Sequence, residues 1–149
     1  MKSIIAQTRP LVEKLADLYR NQLKNSKINA TGKLSNFSTD IEFDGRTYTV
    51  YFLLEDYWEV VEKGRRAGAT PPPIQPIENW VKVKLKVPSS RRVAFAISKS
   101  IGKRGIPGRL PLKKSIESPK AGTIIDEIKN TIISEINREI KDAVKPLLK

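Results

Sequence analysis

The pattern of hydrophobic and polar positions predicts long helices at both ends of the chain. Apolar residues recur every three or four positions between residues 4 and 24, which indicates an amphipathic helix. Pro10 lies inside that segment, so the helix is expected either to begin near Arg9 or to follow a short turn and a kink. The closing helix has the most regular apolar stripe, formed by Ile125, Ile128, Ile132, Ile136, Ile140 and Val144. Thr123 and Asp126 resemble a capping box at its start.

A strand pair is predicted after the first helix and a polar connector. Phe37, Thr39, Ile41 and Phe43 alternate with polar residues, and Asp44-Gly45 follows directly. This dipeptide is typical of a type I′ turn, because both central residues of that turn need positive φ. A returning strand is expected from Arg46 to about Leu54. The sequence therefore predicts an α+β fold in a single domain, residues 1–149, with a small antiparallel sheet packed against the N-terminal and C-terminal amphipathic helices.

Short helices and two long Gly- and Pro-rich loops are predicted for the middle of the chain. A helix from Tyr57 to Lys63 is expected to end at Gly64. The loops are residues 64–75, which include Pro71, Pro72 and Pro73, and residues 102–112. Pro76 is expected to open one helix between the loops. Ser89 or Ser90 is expected to cap a second helix, whose apolar face holds Val93, Ala94, Ile97 and Ile101. Loops of this length are usually functional or disordered, so both are expected to be mobile until neighbours order them.

Composition excludes several kinds of chemistry. The chain contains no Cys and no His, so disulfides, zinc fingers, Ser-His-Asp triads and Cys-His nucleophiles are ruled out. No cofactor and no enzymatic activity are expected. No signal peptide and no apolar segment near the ~20 residues of a membrane span are present, so no membrane partner is expected and the protein is placed in the cytoplasm or in a particle assembled there.

The remaining candidates for chemistry are weak. Residues 102–108 lack the spacing of a phosphate-binding loop and follow a helix instead of opening one. The acidic pairs Glu55-Asp56 and Glu59 with Glu62 are expected to be solvated. The aromatic residues Tyr57, Trp58 and Trp80 are expected in the core, although such residues can also stack on bases.

The basic charge is concentrated in one segment. Residues 63–114 hold 14 Lys and Arg and a single acid, Glu78, while the whole chain has a net charge of +12. Three adjacent basic pairs stand out, namely Arg65-Arg66, Arg91-Arg92 and Lys103-Arg104. A solvated basic surface is one interpretation. The other is a polyanionic neighbour, either nucleic acid or an acidic protein face.

One combination of motifs resembles a known family. The predicted strand pair is followed by Tyr57-Trp58-Glu59-Val60-Val61-Glu62-Lys63-Gly64, then by a basic Pro-rich loop, and then by Gly105-Ile106-Pro107-Gly108-Arg109-Leu110-Pro111-Leu112 before the final helix. This order resembles the tail-completion and head–tail joining proteins of tailed bacteriophages, in which a Tyr-x-x-x-Val-Glu-x-Gly element follows a hairpin. Thr31-Gly32-Lys33-Leu34 is similar to the start of the hairpin in that family.

The chain also departs from the family pattern. Lys63-Gly64-Arg65-Arg66 stands where the family often has Gly-Thr, and Leu110-Pro111-Leu112 stands where it often has Pro-Phe-Leu. The helical segment at residues 76–101 is longer than in the family.

The resemblance implies a bacteriophage virion structural protein of the head–tail junction or tail, assembled in the host cytoplasm. Such a subunit is expected to bind copies of itself in a six- or twelve-fold ring, to dock to portal, connector or tail proteins, and to have DNA passing through its channel. The alternative is a basic nucleic-acid-binding protein that uses residues 63–114. The expected interface residues belong to the loops and basic pairs, namely Arg65, Arg66, Pro71, Pro72, Pro73, Arg91, Arg92, Lys103, Arg104, Pro107, Leu110 and Leu112.

Overall fold

A computed structural model of the protein describes residues 2–26, 32–56 and 58–148. In chain order the described elements are α1 (Lys2–Asn25), β1 (Ser38–Phe43), β2 (Tyr48–Leu53), α2 (Trp58–Lys63), β3 (Gly64–Arg65), α3 (Ile74–Lys84), α4 (Ser90–Arg104), β4 (Ile106–Pro107), α5 (Pro111–Ile116) and α6 (Pro119–Val144). Short 3₁₀ turns cover Lys33–Ser35 and Lys145–Leu148. The predicted α+β class is confirmed. The parts of the family motifs that fall on Tyr57 and Thr31 lie outside the described residues.

The chain divides into two compact units, and each is built from separate segments. Unit 1 comprises residues 1–21, 38–53 and 114–149, and unit 2 comprises residues 22–37 and 54–113. The chain therefore passes from one unit to the other four times. A single domain across residues 1–149 stays a prediction.

Unit 1 is the predicted hairpin packed with the two terminal helices. Its core contains Val12 from α1, Ile41 from β1 and Ile128 from α6, all buried. Partly buried apolar side chains surround this centre, namely Ile5, Leu11, Tyr48, Val50, Ile124 and Ile132. The apolar faces of three elements thus meet, as the helical and alternating patterns predict.

The first helix differs from both alternatives for its start. α1 runs without interruption from Lys2, so Pro10 lies well inside it. Its fully buried line is Ile4, Thr8, Val12, Ala16, Tyr19 and Leu23. Thr8 is accommodated in this line because its hydroxyl donates to the carbonyl of Ile4 at 2.7 Å and accepts from the Tyr48 hydroxyl at 2.5 Å.

The hairpin is confirmed, but its turn is longer than predicted. β1 pairs antiparallel with β2, and the last pair is Phe43 with Tyr48, which leaves four residues in the loop. Gly45 has a φ of +92°, whereas Asp44 does not have positive φ, so the type I′ assignment is wrong. The carboxylate of Asp44 instead accepts the backbone N–H groups of Arg46 and Thr47 at 2.8 and 2.7 Å. The bonds from Thr47 and then Arg46 hold the pKa of Asp44 below its usual value.

The closing helix begins earlier than the capping-box pattern indicates. α6 starts at Pro119, and the Ser118 side chain caps it by accepting the N–H of Ala121 at 3.2 Å. A proline at the first helical position suits this start because its missing N–H would have no helical partner. Thr123 lies inside the helix and donates to the carbonyl of Pro119. The capping role predicted for Thr123 is therefore wrong.

The helices of unit 2 also differ in detail from the sequence pattern. α3 starts at Ile74, so Pro76 lies in its first turn instead of opening it. Ser89 stands at the N-cap position of α4, but its side chain makes no capping hydrogen bond, so only the position of the helix start agrees with the prediction. The buried line of α4 consists of small residues, namely Ser90, Ala94, Ser98 and Gly102, while Val93, Ile97 and Ile101 are half-buried beside it. Trp80 is 39% exposed, so its assignment to the core is wrong.

Candidate functional site

The two Gly- and Pro-rich segments are paired with each other. Gly64 and Arg65 form an antiparallel pair with Pro107 and Ile106 as β3 and β4. The approach is so close that a Cβ on Gly64 would lie 2.3 Å from the carbonyl oxygen of Ile106. A Cβ on Gly105 would lie 2.3 Å from the carbonyl oxygen of Arg65. Only glycine fits at both positions, and both have positive φ.

A buried carboxylate anchors the second segment. Glu62 is only 8% exposed, and its two oxygens accept the backbone N–H groups of Leu112 and Lys113, each at 2.9 Å. These amides belong to the first turn of α5, where N–H groups have no partner within the helix. The backbone N–H groups of Arg109 and Leu110, just before α5, donate to the carbonyls of Val61 and Glu62, each at 3.2 Å.

The role of Glu62 corrects its assignment as a solvated acid. Glu59, the other member of that pair, is exposed and lies 4.0 Å from the Lys63 ammonium. The sequence signal for the difference is the Val-Glu-x-Gly element, in which Glu62 lies at the end of α2, two residues before Gly64. Its partners are 50 and 51 residues away in the sequence, so spacing alone could not identify them.

The polyproline segment lies against α4. Ser98 Oγ donates to the carbonyl of Pro72 at 2.6 Å, and the N–H of Gly68 donates to the carbonyl of Gly102 at 2.8 Å. A Cβ on Gly102 would come within 2.8 Å of the Pro71 ring. Gly102 therefore lies at a close contact between α4 and the segment. The mobility expected for residues 64–75 in a free subunit stays a prediction.

The second loop is shorter than the predicted residues 102–112. α4 continues through Lys103 and Arg104, β4 follows Gly105, and α5 already begins at Pro111. Leu110 has a φ of +51°, which is uncommon for a residue with a branched side chain and indicates that the surrounding contacts hold this turn. Pro107 and Leu110 are exposed, whereas Leu112 is half-buried.

The structure brings together two of the three basic pairs. Lys103 and Arg104 end α4 directly before Gly105, whose backbone lies against that of Arg65 and Arg66. Arg92 stands 11 residues before Lys103 in α4, which is about 16 Å along a helix. The pair Arg91-Arg92 is therefore at the opposite end of α4.

Two of the six side chains in the three basic pairs, Arg65 and Arg91, are bonded to other groups of the protein. The Arg65 guanidinium donates to the carbonyl of Thr70 and is half-buried, so it helps to hold the loop. Arg91 lies 3.8 Å from the buried carboxylate of Glu78, which also binds Lys82 at 3.1 Å and accepts from Ser90 Oγ at 3.2 Å. The hydrogen bond from Lys82 is the main reason that the pKa of Glu78 is lowered.

The other cations of this set are Arg66, Arg92, Lys103 and Arg104, all exposed. Within the part of the chain that the structure describes, none of them forms an ion pair. Their charge is therefore available to a partner.

Unit 2 carries almost all of the net charge. Its segments contain 16 Lys and Arg against 5 Asp and Glu, a formal net charge of +11. Unit 1 contains 12 against 11, a formal net charge of +1. Two of the five acids in unit 2, Glu62 and Glu78, are buried and bonded inside the unit.

The described residues have no grouping of three acidic side chains that could hold a metal ion. No described helix is both long enough and apolar enough to cross a membrane. Comparison of the chain with protein-family models, with curated proteins and with solved structures found no match.

Proposed function

We propose that this protein is a structural subunit of a tailed bacteriophage particle, located at the head–tail junction or in the tail. It acts by binding further copies of itself in a ring and by docking to portal, connector or tail proteins. The observation that carries the proposal is an apolar stripe on α6, formed by Ile133, Ile136, Ile140 and Val144 (the α6 stripe). Ile136 is half-buried, and the other three are exposed. Ile133 and Ile140 are 56% and 55% exposed.

The C-terminal half of α6 is exposed, although the sequence pattern predicts that its apolar face is buried. The spacing of Ile128, Ile132, Ile136, Ile140 and Val144 predicts one continuous buried face, yet only its first part is buried. Among the described residues, every side chain from position 137 to position 146 is exposed. Such a helix depends on packing of its apolar face, so a second protein surface is needed to cover this half.

A second copy of the chain fits the α6 stripe better than a strongly charged partner does. The stripe belongs to unit 1, whose net charge is close to zero, so little like charge is brought together at the contact itself. Residues of both signs flank it, with Glu139 and Asp142 beside Arg138 and Lys141. Charges of both signs beside an apolar seam are typical of helix pairing between subunits. A ring requires the α6 stripe of one copy to lie against a different surface of the next copy, because contact between two identical stripes gives only a two-fold dimer.

The test is the oligomeric state of the purified protein. Sedimentation velocity and electron microscopy of the wild type should give ring-sized species. The double variant Ile140→Asp, Val144→Asp should sediment as a monomer that keeps the helical circular dichroism spectrum of the wild type, with a lower melting temperature because it lacks the stabilising contact between copies. Ser134→Asp, at an exposed position of α6 outside the stripe, is the control and should still assemble. A wild type that stays monomeric at about 100 μM, or a double variant that assembles normally, contradicts the proposal. Detection of the protein in purified virions tests its place in the particle.

A further inference from the structure

A groove on the surface of unit 2 lies between α4 and the polyproline segment. Its volume is about 490 Å³, and its lining residues are Pro71, Pro72, Pro73, Ile74, Phe95, Ser98 and Lys99 (the α4 groove). Most of the lining is apolar, and Phe95 is 57% exposed although it is a large aromatic residue. An exposed ring in an apolar groove is suited to pack against a flat ligand group.

The wall of the α4 groove is fixed before any ligand arrives. Ser98, which lines the groove, holds the carbonyl of Pro72 at 2.6 Å, and Gly68 is bonded to Gly102 at 2.8 Å. Proline rings have little conformational freedom to lose. Binding in this groove therefore requires little ordering of the protein, which favours affinity.

Cations follow the same face of α4 on both sides of Phe95. Arg92, Lys99 and Lys103 come three residues before, four after and eight after Phe95, which places all four side chains on one side of the helix. α4 has five Lys and Arg and no acid. Between the cations lie the exposed small residues Ala96 and Ser100, which let an extended chain approach the helix closely.

We propose that the α4 groove binds single-stranded nucleic acid. An unpaired base packs on Phe95 within the groove, and the phosphates on either side lie along Arg92, Lys99 and Lys103. An aromatic platform beside a line of cations is the combination by which proteins bind single strands without sequence preference. Duplex DNA is a poorer fit, because its bases are stacked on each other and cannot enter the groove. An acidic peptide would use the cations but has no need of the ring.

The α4 groove shares no residue with the α6 stripe, since its residues are in unit 2 and the stripe is in unit 1. The Ile140→Asp, Val144→Asp variant should bind a single strand as the wild type does. If that variant is monomeric and binds, both proposals stand. If it is monomeric and neither it nor the wild type binds, the nucleic-acid proposal alone is overturned.

The experiment is fluorescence anisotropy with a labelled 12-nucleotide oligothymidylate at 50 mM salt. Phe95→Leu keeps an apolar side chain of similar exposure but removes the ring, so affinity should fall about fivefold or more. Phe95→Tyr should bind like the wild type. Lys99→Gln should reduce the slope of log affinity against log salt by about 0.7, the value for one phosphate contact on a single strand. Lys120→Gln, an exposed lysine in unit 1, is the control and should leave the slope unchanged.

Absence of binding at 50 mM salt overturns the proposal. Equal affinity of Phe95→Leu and the wild type overturns it too, because the cations alone then account for binding. Competition by polyglutamate as effective as that by unlabelled oligothymidylate identifies an acidic protein as the better partner. Tighter binding of a duplex of the same length also contradicts the assignment to single strands.

Discussion

At the scale of single residues, Glu62 is the position on which the loop arrangement of unit 2 depends most. Its carboxylate gives the first turn of α5 two hydrogen-bond acceptors, and the backbone around it joins residues 109 and 110. A negative charge at the start of a helix is also favoured by the orientation of the peptide dipoles. The Val-Glu-x-Gly motif is thus explained by local structure, with Glu62 as anchor and Gly64 as the close contact with β4.

Replacement of Glu62 by Gln should destabilise the protein by about 1.5–3 kcal/mol. The amide has only one acceptor oxygen, so it cannot accept both N–H groups, and its own NH₂ group would face a backbone donor. Urea unfolding followed by circular dichroism gives the free energy of unfolding. Glu59→Gln, at an exposed position in the same helix, should change it by less than about 0.5 kcal/mol. Equal effects of the two variants would show that the capping bonds contribute little.

At the scale of elements, a polar contact joins α1 to α6 next to the end of the buried part of α6. Glu135 is buried and accepts from Ser3 Oγ at 2.9 Å and from Gln7 Nε2 at 2.7 Å, and it pairs with Arg138. Burial by itself raises the pKa of Glu135, but the bonds from Gln7 and Ser3 and the charge of Arg138 outweigh it, so that the pKa is lowered. The charged form is therefore the one that stabilises unit 1.

This lowered pKa predicts a loss of stability in acid. Because the folded-state pKa lies below the unfolded value, the contribution of Glu135 is present above the unfolded pKa, near 4.3, and is lost as pH falls through the folded pKa. Glu135→Gln should therefore be less stable than the wild type at pH 7, and the difference should shrink towards pH 3. Thermal melts across that range measure it. The exposed Glu127→Gln serves as the control, and a difference independent of pH would rule out the carboxylate charge as the cause.

The elements show how far local patterns reach. The alternation from Phe37 to Phe43 and the spacing around Ile128 predict the hairpin and the closing helix, because burial on one face leaves a direct mark on the sequence. α6 begins at Pro119 with Ser118 as its cap, whereas the pattern of Thr123 and Asp126 predicts a later start. The partners of Glu62 and the pairing of β3 with β4 depend on contacts across about fifty residues, for which no local periodicity exists. The exposure of Ile140 cannot be read from spacing, because a stripe that packs against another molecule looks the same as one that packs within its own.

At the scale of the whole molecule, the net charge lies in one unit and the surface proposed for self-association lies in the other. Unit 2 carries the net charge of +11 and the α4 groove, whereas unit 1 is nearly neutral and carries the α6 stripe. The two proposed interactions should consequently respond to salt in opposite ways. Binding of a polyanion releases counterions and weakens with salt, while an apolar contact between cationic copies is opposed by their mutual repulsion.

Raising the salt concentration from 50 to 500 mM should therefore strengthen self-association. Screening reduces the repulsion between chains of charge +12 and leaves the apolar contact in place. Sedimentation equilibrium at the two concentrations measures the association constant directly. Dissociation at the higher salt would mean that ion pairs, not the α6 stripe, hold the copies together.

The division of the chain between the units also determines which unit is completed first during synthesis. Every residue of unit 2 has been added once position 113 is reached, whereas unit 1 lacks the whole of α6 until the last segment is made. The core around Val12 and Ile41 therefore stays incomplete until Ile128 is synthesised. Until then the apolar face of the first helix is uncovered in the nascent chain. Termination between positions 113 and 128 gives a polypeptide that has every residue of unit 2 but lacks Ile128 from the core of unit 1, and its uncovered apolar face is the surface that a chaperone or protease would recognise.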